Sequence, residues 1–152
     1  MSNLAHEERV MITAGELIRK KGSDIWVIQR DETVYAAMKM MAEKDAGALL
    51  VMSEDKISGI ISERDCVRKM DIAGRSARET RVVAIMTEKV MYVEAAQPLE
   101  EVMALMIDKN IRHMPVMDGP KLLGVLSIRD VLKEVIAQQK FLISQLEHYI
   151  RG

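Results

Sequence analysis

Two serines and two aspartates can do chemistry at a fixed spacing: Ser62-Glu63-Arg64-Asp65 and Ser127-Ile128-Arg129-Asp130. A hydroxyl and a carboxylate three residues apart at the start of a helix satisfy the free N–H groups of its first turn. The same carboxylate has two oxygens and can accept hydrogen bonds from two neighbouring hydroxyls. A pair of vicinal hydroxyls, as on a sugar, is one ligand that such a carboxylate can hold. Capping alone is the other reading, and one Asp can serve both ends.

The two motifs are larger than four residues. Gly59-Ile60-Ile61-Ser62-Glu63-Arg64-Asp65 returns 65 positions later as Gly124-Val125-Leu126-Ser127-Ile128-Arg129-Asp130. Residues 25 to 70 align on 90 to 135 without a gap. A constant offset means duplication of a whole structural unit. Each unit reads β-α-β-β-α. In the first, Ile25-Trp26-Val27-Ile28 is a strand, and Asp31-Glu32-Thr33 opens a helix whose apolar positions Val34, Ala37, Met38, Met41 and Ala42 keep the 3.6 period, with Gly47 ending it. Ala48 to Met52 and Ile57 to Ile61 are buried strands around a turn, and Ser62 caps a helix ending near Gly74. In the second, Val90 to Val93 is the strand, Pro98 enters the helix bearing Leu99, Val102, Met103, Met106 and Ile107, and His113 to Met117 and Leu122 to Leu126 are the strand pair before Ser127.

Three segments lie outside the repeats. Residues 1–8 read as a frayed tail, and Thr13-Ala14-Gly15-Glu16 caps a short helix that Gly22 stops. The linker Arg75 to Met86 carries a further capping box, Ser76-Ala77-Arg78-Glu79. The last helix runs past the repeat to about Ile150, with Leu132, Val135, Gln139, Leu142, Leu146 and Tyr149 on one seam. That seam either covers the protein's own sheet or pairs with a second copy, and we expect a homodimer because the first copy needs no such extension. The expected divisions are residues 10–74 (first repeat with the N-terminal helix), 75–137 (linker and second repeat) and 138–152 (extension).

Composition narrows the classes. The 152 residues carry a net charge of −1 and only 3% aromatics, which argues neither for nucleic acid nor for an anionic membrane. No apolar run is long enough for a membrane helix or a signal core, so a cytoplasmic protein is expected. The single cysteine, Cys66, makes no internal disulfide and reads as an unreactive buried thiol; the 13 methionines read as adaptable core filler. No P-loop, Gly-x-Gly-x-x-Gly, His-x-x-x-His or Cys-x-x-Cys is present, so an enzyme is not expected. A small core per unit means that fused copies should pack face to face.

A doubled β-α-β-β-α unit with Gly-h-h-Ser-x-x-Asp before its last helix (h, apolar) resembles the cystathionine-β-synthase (CBS) domain pair, over about residues 10 to 137. Glu63-Arg64-Asp65-Cys66-Val67-Arg68-Lys69, Gly74-Arg75-Ser76 and the ending Ser144-Gln145-Leu146-Glu147-His148-Tyr149-Ile150 are similar to small stand-alone bacterial members. The resemblance implies an α+β fold of two repeats with pseudo-two-fold symmetry, and a sensor that binds AMP, ADP, ATP or NAD between them and answers by changing their arrangement. Any metal would enter only with the nucleotide phosphates. It implies further that Asp65 and Asp130 hold ribose, that Ser62 and Ser127 contact ribose or phosphate, and that Arg112 and His113 of the Arg-His-h-Pro segment ending at Pro115 meet phosphate.

In the first copy the Arg-His places hold Gly47 and Ala48, which offer only backbone, so the two sites should differ. Arg64, Arg68, Lys69, Arg75, Arg78 and Arg81 form a basic run that is either a solvated face or a multi-phosphate pocket; Arg129 repeats Arg64. Adenine would rest against apolar strand ends through backbone hydrogen bonds, with Val27, Ile28, Tyr92 and Val93 as candidates. Close relatives often carry an aromatic residue at the place of Cys66. An interaction module with degenerate pockets, docking on an effector protein, is the alternative function, and a nucleotide-hydrolysing enzyme is the remote one.

Overall fold

The computed structural model describes residues 12–22 and 25–151; the tail expected over residues 1–8 lies outside them. Among the described residues the fold is α+β, with five α-helices and two three-stranded sheets. The chain divides into two compact units, residues 25–90 and residues 1–24 with 91–152.

In the first unit, β1 (Val27–Gln29) pairs parallel with β2 (Ala48–Ser53), which pairs antiparallel with β3 (Lys56–Ser62). Helix α2 (Val34–Lys44) crosses between β1 and β2, started by Thr33, whose hydroxyl accepts the Ala36 N–H. It stops at Asp45 in the left-handed region (φ 51°), two residues before the expected Gly47; Asp is among the few residues that tolerate this conformation. Ser62 opens α3 (Glu63–Cys66), which widens into one π-helical turn, Val67–Asp71. Val34, Ala37, Met41, Leu49, Val51, Ile61, Cys66 and Met70 bury into one core.

The second unit repeats the plan: β4 (Val93–Glu94), α4 (Leu99–Asp108), β5 (His113–Asp118) and β6 (Lys121–Ser127), then α5 (Ile128–Arg151). The register is the same residue for residue: Ala48 lies opposite Ser62, and His113 opposite Ser127.

The connecting segments differ from the sequence-based divisions. The N-terminal helix, α1 (Ala14–Lys21), packs in the second unit, not with the repeat that follows it. Leu17 and Ile18 bury beside Leu126 and Val131, and the Ala14 and Gly15 N–H groups donate to the Gln97 and Ala95 carbonyls. The linker instead closes the first unit. Val34 and Tyr35, whose N–H groups lack helical partners at the start of α2, donate to the Thr80 and Ala77 carbonyls. Ser76-Ala77-Arg78-Glu79 forms a turn rather than the helix its capping pattern suggests. These carbonyls serve the N-terminus of α2, and that tertiary use overrides the local preference. Leu99 N–H to Ile12 O repeats in the second unit what Val34 N–H to Thr80 O does in the first.

Candidate functional site

The two Ser-x-x-Asp motifs stand at the same place in the two units, at the step from the last strand into the last helix. In the first unit the Asp65 N–H donates to Ser62 Oγ (3.1 Å), while the Ser62 N–H and hydroxyl both donate to Asp65 Oδ2 (3.0 Å each). The cap is reciprocal. Asp65 Oδ1 receives Lys69 Nζ at 3.2 Å, and Lys69 also donates to the Ile85 carbonyl (2.9 Å). The carboxylate is thus engaged on both oxygens and is only 14% exposed.

In the second unit the Asp130 N–H donates to Ser127 Oγ (3.0 Å) and the Ser127 N–H to Asp130 Oδ2 (3.1 Å). The lysine here comes from α1: Lys21 Nζ lies 2.8 Å from the same Oδ2. Oδ1 takes no hydrogen bond from any described residue, and the side chain is 32% exposed. Burial pushes the Asp130 carboxyl up, but the hydrogen bonds from Lys21 and Ser127 and the Lys21 charge outweigh it and hold the group below its ordinary value. The shift favours the ionised form.

What stands beside each cap is set by backbone. The Glu63 N–H donates to the Gly47 carbonyl (3.0 Å) and the Ile128 N–H to the Arg112 carbonyl (2.8 Å). In the second unit this bond, with His113 opposite Ser127, gathers Arg112, His113, Ser127, Arg129 and Asp130 at one end of the sheet. Arg112 and Arg129 are exposed and His113 is half-buried. The equivalent end of the first unit has Gly47, Ala48, Ser62, Arg64 and Asp65, with the cations moved to Arg64, Arg68 and Lys69 on the helix itself.

Several candidates are used otherwise. Ile28 and Val93 are core residues and Pro115 is buried within β5, so their side chains fill the units, and the backbone contact expected between adenine and the strand ends does not depend on them. The strand alternation explains the burial: Val27 and Tyr92, one residue earlier, point outward and are exposed. Of the basic run, Arg78 lies over the Tyr35 ring (4.0 Å) and Arg81 donates to the Asp31 carbonyl, both stitching the linker to the first unit. Burial, with the Asp65 and Glu63 charges, pushes the Cys66 thiol up to about 11, which keeps it protonated and unreactive at neutral pH.

Sequence reasoning missed Lys21, Lys20 and Glu134. Lys20 Nζ lies 3.0 Å from Glu134 Oε2, a carboxylate with only 8% of its side chain exposed and also held by Gln138 (3.1 Å). Adjacent lysines at the end of α1 thus grip Asp130 and Glu134, one turn apart on α5. Their only sequence signal was a basic last turn, Arg19-Lys20-Lys21, which ordinarily complements a helix dipole. One clue was available: the repeat-equivalent of Lys69 is Glu134, with the charge reversed.

The CBS domain profile matches residues 14–72 and 82–137. A CBS domain-containing mitochondrial protein of Arabidopsis thaliana is 38% identical over 136 residues, 86% of this chain; the chain spans 66%, just under two thirds, of that relative's length. The structure of a CBS-domain protein from Burkholderia ambifaria MC40-6 is 47% identical, covers 84% of this chain and 96% of its own, and superposes with a TM-score of 0.80. A hexameric CBS-CP12 protein from bloom-forming cyanobacteria is 31% identical over 82% of this chain and 68% of its own, with a TM-score of 0.72. Proteins built on such a pair are commonly regulatory and signalling modules. With both repeats matched and both units superposing on solved examples, the chain belongs to the CBS domain family, of which it carries two copies.

Proposed function

We propose that this protein is a non-catalytic adenine-nucleotide sensor, taking AMP, ADP, ATP or NAD, and that the site of the second unit is the tighter one. The observation that carries the reading is the count of free acceptor positions. A carboxylate has about four lone-pair positions, two per oxygen. Asp130 uses those of Oδ2 for Ser127 and Lys21 and keeps Oδ1 for a diol. Asp65 uses Oδ2 for Ser62 twice and one position on Oδ1 for Lys69, so two hydroxyls bind there only if Lys69 lets go. Phosphates of a nucleotide on Asp130 would meet Arg112, His113 and Arg129. Occupancy would act by population shift, which requires a different affinity for two states of the protein.

Calorimetry with AMP, ADP, ATP and NAD tests this. Asp130→Ala removes charge-assisted hydrogen bonds of ~1.5–3 kcal/mol, so the tighter site should weaken roughly 10- to 100-fold, while Asp65→Ala leaves it in place. Absence of heat with all four nucleotides sinks the reading. The second reading, a nucleotide-independent homodimeric interaction module for an effector protein, is favoured by one feature: Phe141, Leu142, Ile143, Leu146, Tyr149 and Ile150 on α5 are all exposed.

A further inference from the structure

We infer that Lys21 is a positioning residue of the Asp130 site, and that it decides which carboxylate oxygen faces a ligand; this rests on the nucleotide reading above. Lys21 and the Ser127 N–H both bond to Oδ2, which fixes the rotation of the carboxylate and turns Oδ1 outward. At the place from which Lys69 reaches Asp65, α5 carries Glu134, whose charge would repel a carboxylate. The clamp comes instead from another element, α1. Ile18 packs on Gly124, where a methyl group would come within 2.9 Å of its Cδ1, and Lys20 holds Glu134, so Lys21 is delivered by a helix end fixed at two further points.

The consequence is a preference for a diol on a single oxygen. With Oδ2 saturated, both ribose hydroxyls converge on Oδ1, and a sugar with one hydroxyl leaves an acceptor position unfilled. The charged groups around the carboxylate are Lys21 from α1, Arg112 and His113 at the start of β5, and Arg129, Lys133 and Glu134 from α5 itself. Lys21 is the cation in contact.

Three variants of the full chain separate this from a merely structural role. Lys21→Met should weaken AMP binding by about tenfold, the equivalent of one charge-assisted hydrogen bond, and narrow the gap between AMP and 2′-deoxy-AMP. Lys21→Arg should restore much of both. Lys20→Met, which removes one of the two anchors of the α1 end without touching Asp130, should weaken AMP binding clearly less than Lys21→Met does. Affinity in Lys21→Met equal to or tighter than wild type overturns the inference, as does an equal loss in Lys20→Met. A readout without ligand keeps the two proposals apart: carboxyl NMR should show Asp130 titrating higher in Lys21→Met and returning in Lys21→Arg. If wild type binds no nucleotide, the sensor reading fails. If the Asp130 titration ignores Lys21, the positioning role fails.

Discussion

The glycine that opens each motif, Gly59 in the first copy and Gly124 in the second, has a structural setting that predicts a stability effect differing between the copies. A methyl group on Gly59 would sit 2.6 Å from the Thr87 carbonyl oxygen and 2.8 Å from Met86 Sδ. That carbonyl is not free to retreat. Ile60 and Thr87 exchange two backbone hydrogen bonds, N–H to O at 3.0 Å and 2.8 Å, which hold the linker on β3. Gly59→Ala must therefore either break this pair, at ~1 kcal/mol per bond, or strain it, and overpacking of this kind costs ~1–3 kcal/mol. Neither motif glycine has a positive φ, so alanine recovers ~0.4–1 kcal/mol through the unfolded chain. The net expectation for Gly59→Ala is a loss of about 1–2 kcal/mol.

Gly124→Ala meets a different neighbour. The nearest atom is Ile18 Cδ1 at 2.9 Å, then its Cγ2 at 3.3 Å, the end of a side chain that can change rotamer. Its cost should stay below about 1 kcal/mol once the unfolded-state gain is subtracted. For a chain of this size ~1 kcal/mol corresponds to about 2–4 °C, so Tm should fall by ~2–8 °C for Gly59→Ala and by less, below ~4 °C, for Gly124→Ala. Urea unfolding followed by circular dichroism, with calorimetric Tm as the second measure, decides it. Equal losses in the two variants, or the larger loss in Gly124→Ala, would refute the close-approach account of this glycine.

Asp130 is held below its ordinary value of 3.8, so its bonds stabilise the fold fully above that pH and are lost as pH falls through the lower, folded value. Wild type should lose stability as pH drops below ~4, and Asp130→Asn should show a flatter acid limb with lower stability at pH 7; an unchanged limb in urea midpoints contradicts the Lys21 contact. With its thiol at about 11, Cys66 should resist iodoacetamide at pH 7.5 in the native state and react once unfolded, which intact-mass spectrometry reads directly. Rapid native labelling would show that the burial is wrong. Leu142→Glu with Leu146→Glu should shift the sedimenting species to lower mass, and an unchanged mass would remove α5 from any interface between copies.

What could be read in the sequence was what local physics decides. Thr13, Thr33, Ser62 and Ser127 each cap the helix their spacing announced, because the bond runs between a side chain and a backbone group two or three residues on. The 3.6 period gave α2 and α4, and the offset of 65 gave the second unit from the first. What could not be read was allegiance. Residues 76–79 have the pattern of a helix start and form a turn, because the Ala77 carbonyl, with that of Thr80 just after it, serves α2 more than forty residues away in sequence. Helix α1 precedes the first repeat and packs with the second, held by Lys20 and Lys21 across 114 and 109 residues. Ile28 and Val93 bury in the cores while Val27 and Tyr92 are exposed, an alternation of strand faces that a short apolar run does not mark by itself.

The same contrast explains why two copies of one motif need not be two equal sites. Duplication delivered identical caps, and divergence then acted on what approaches them. In the first unit the position one turn past the Asp is lysine, and the carboxylate is engaged from its own helix. In the second that position is glutamate, a clamp from the same place is repelled, and the partner comes from a separate helix onto the oxygen already bonded to the cap. One charge reversal thereby exchanges a carboxylate engaged on both oxygens for one with an oxygen facing outward. Arg112 and His113 stand beside the second and Gly47 and Ala48 beside the first, so acceptor and cations diverged in the same direction. On the sensor reading proposed above, a polyanionic, hydroxyl-bearing ligand would use both differences at one end of one sheet.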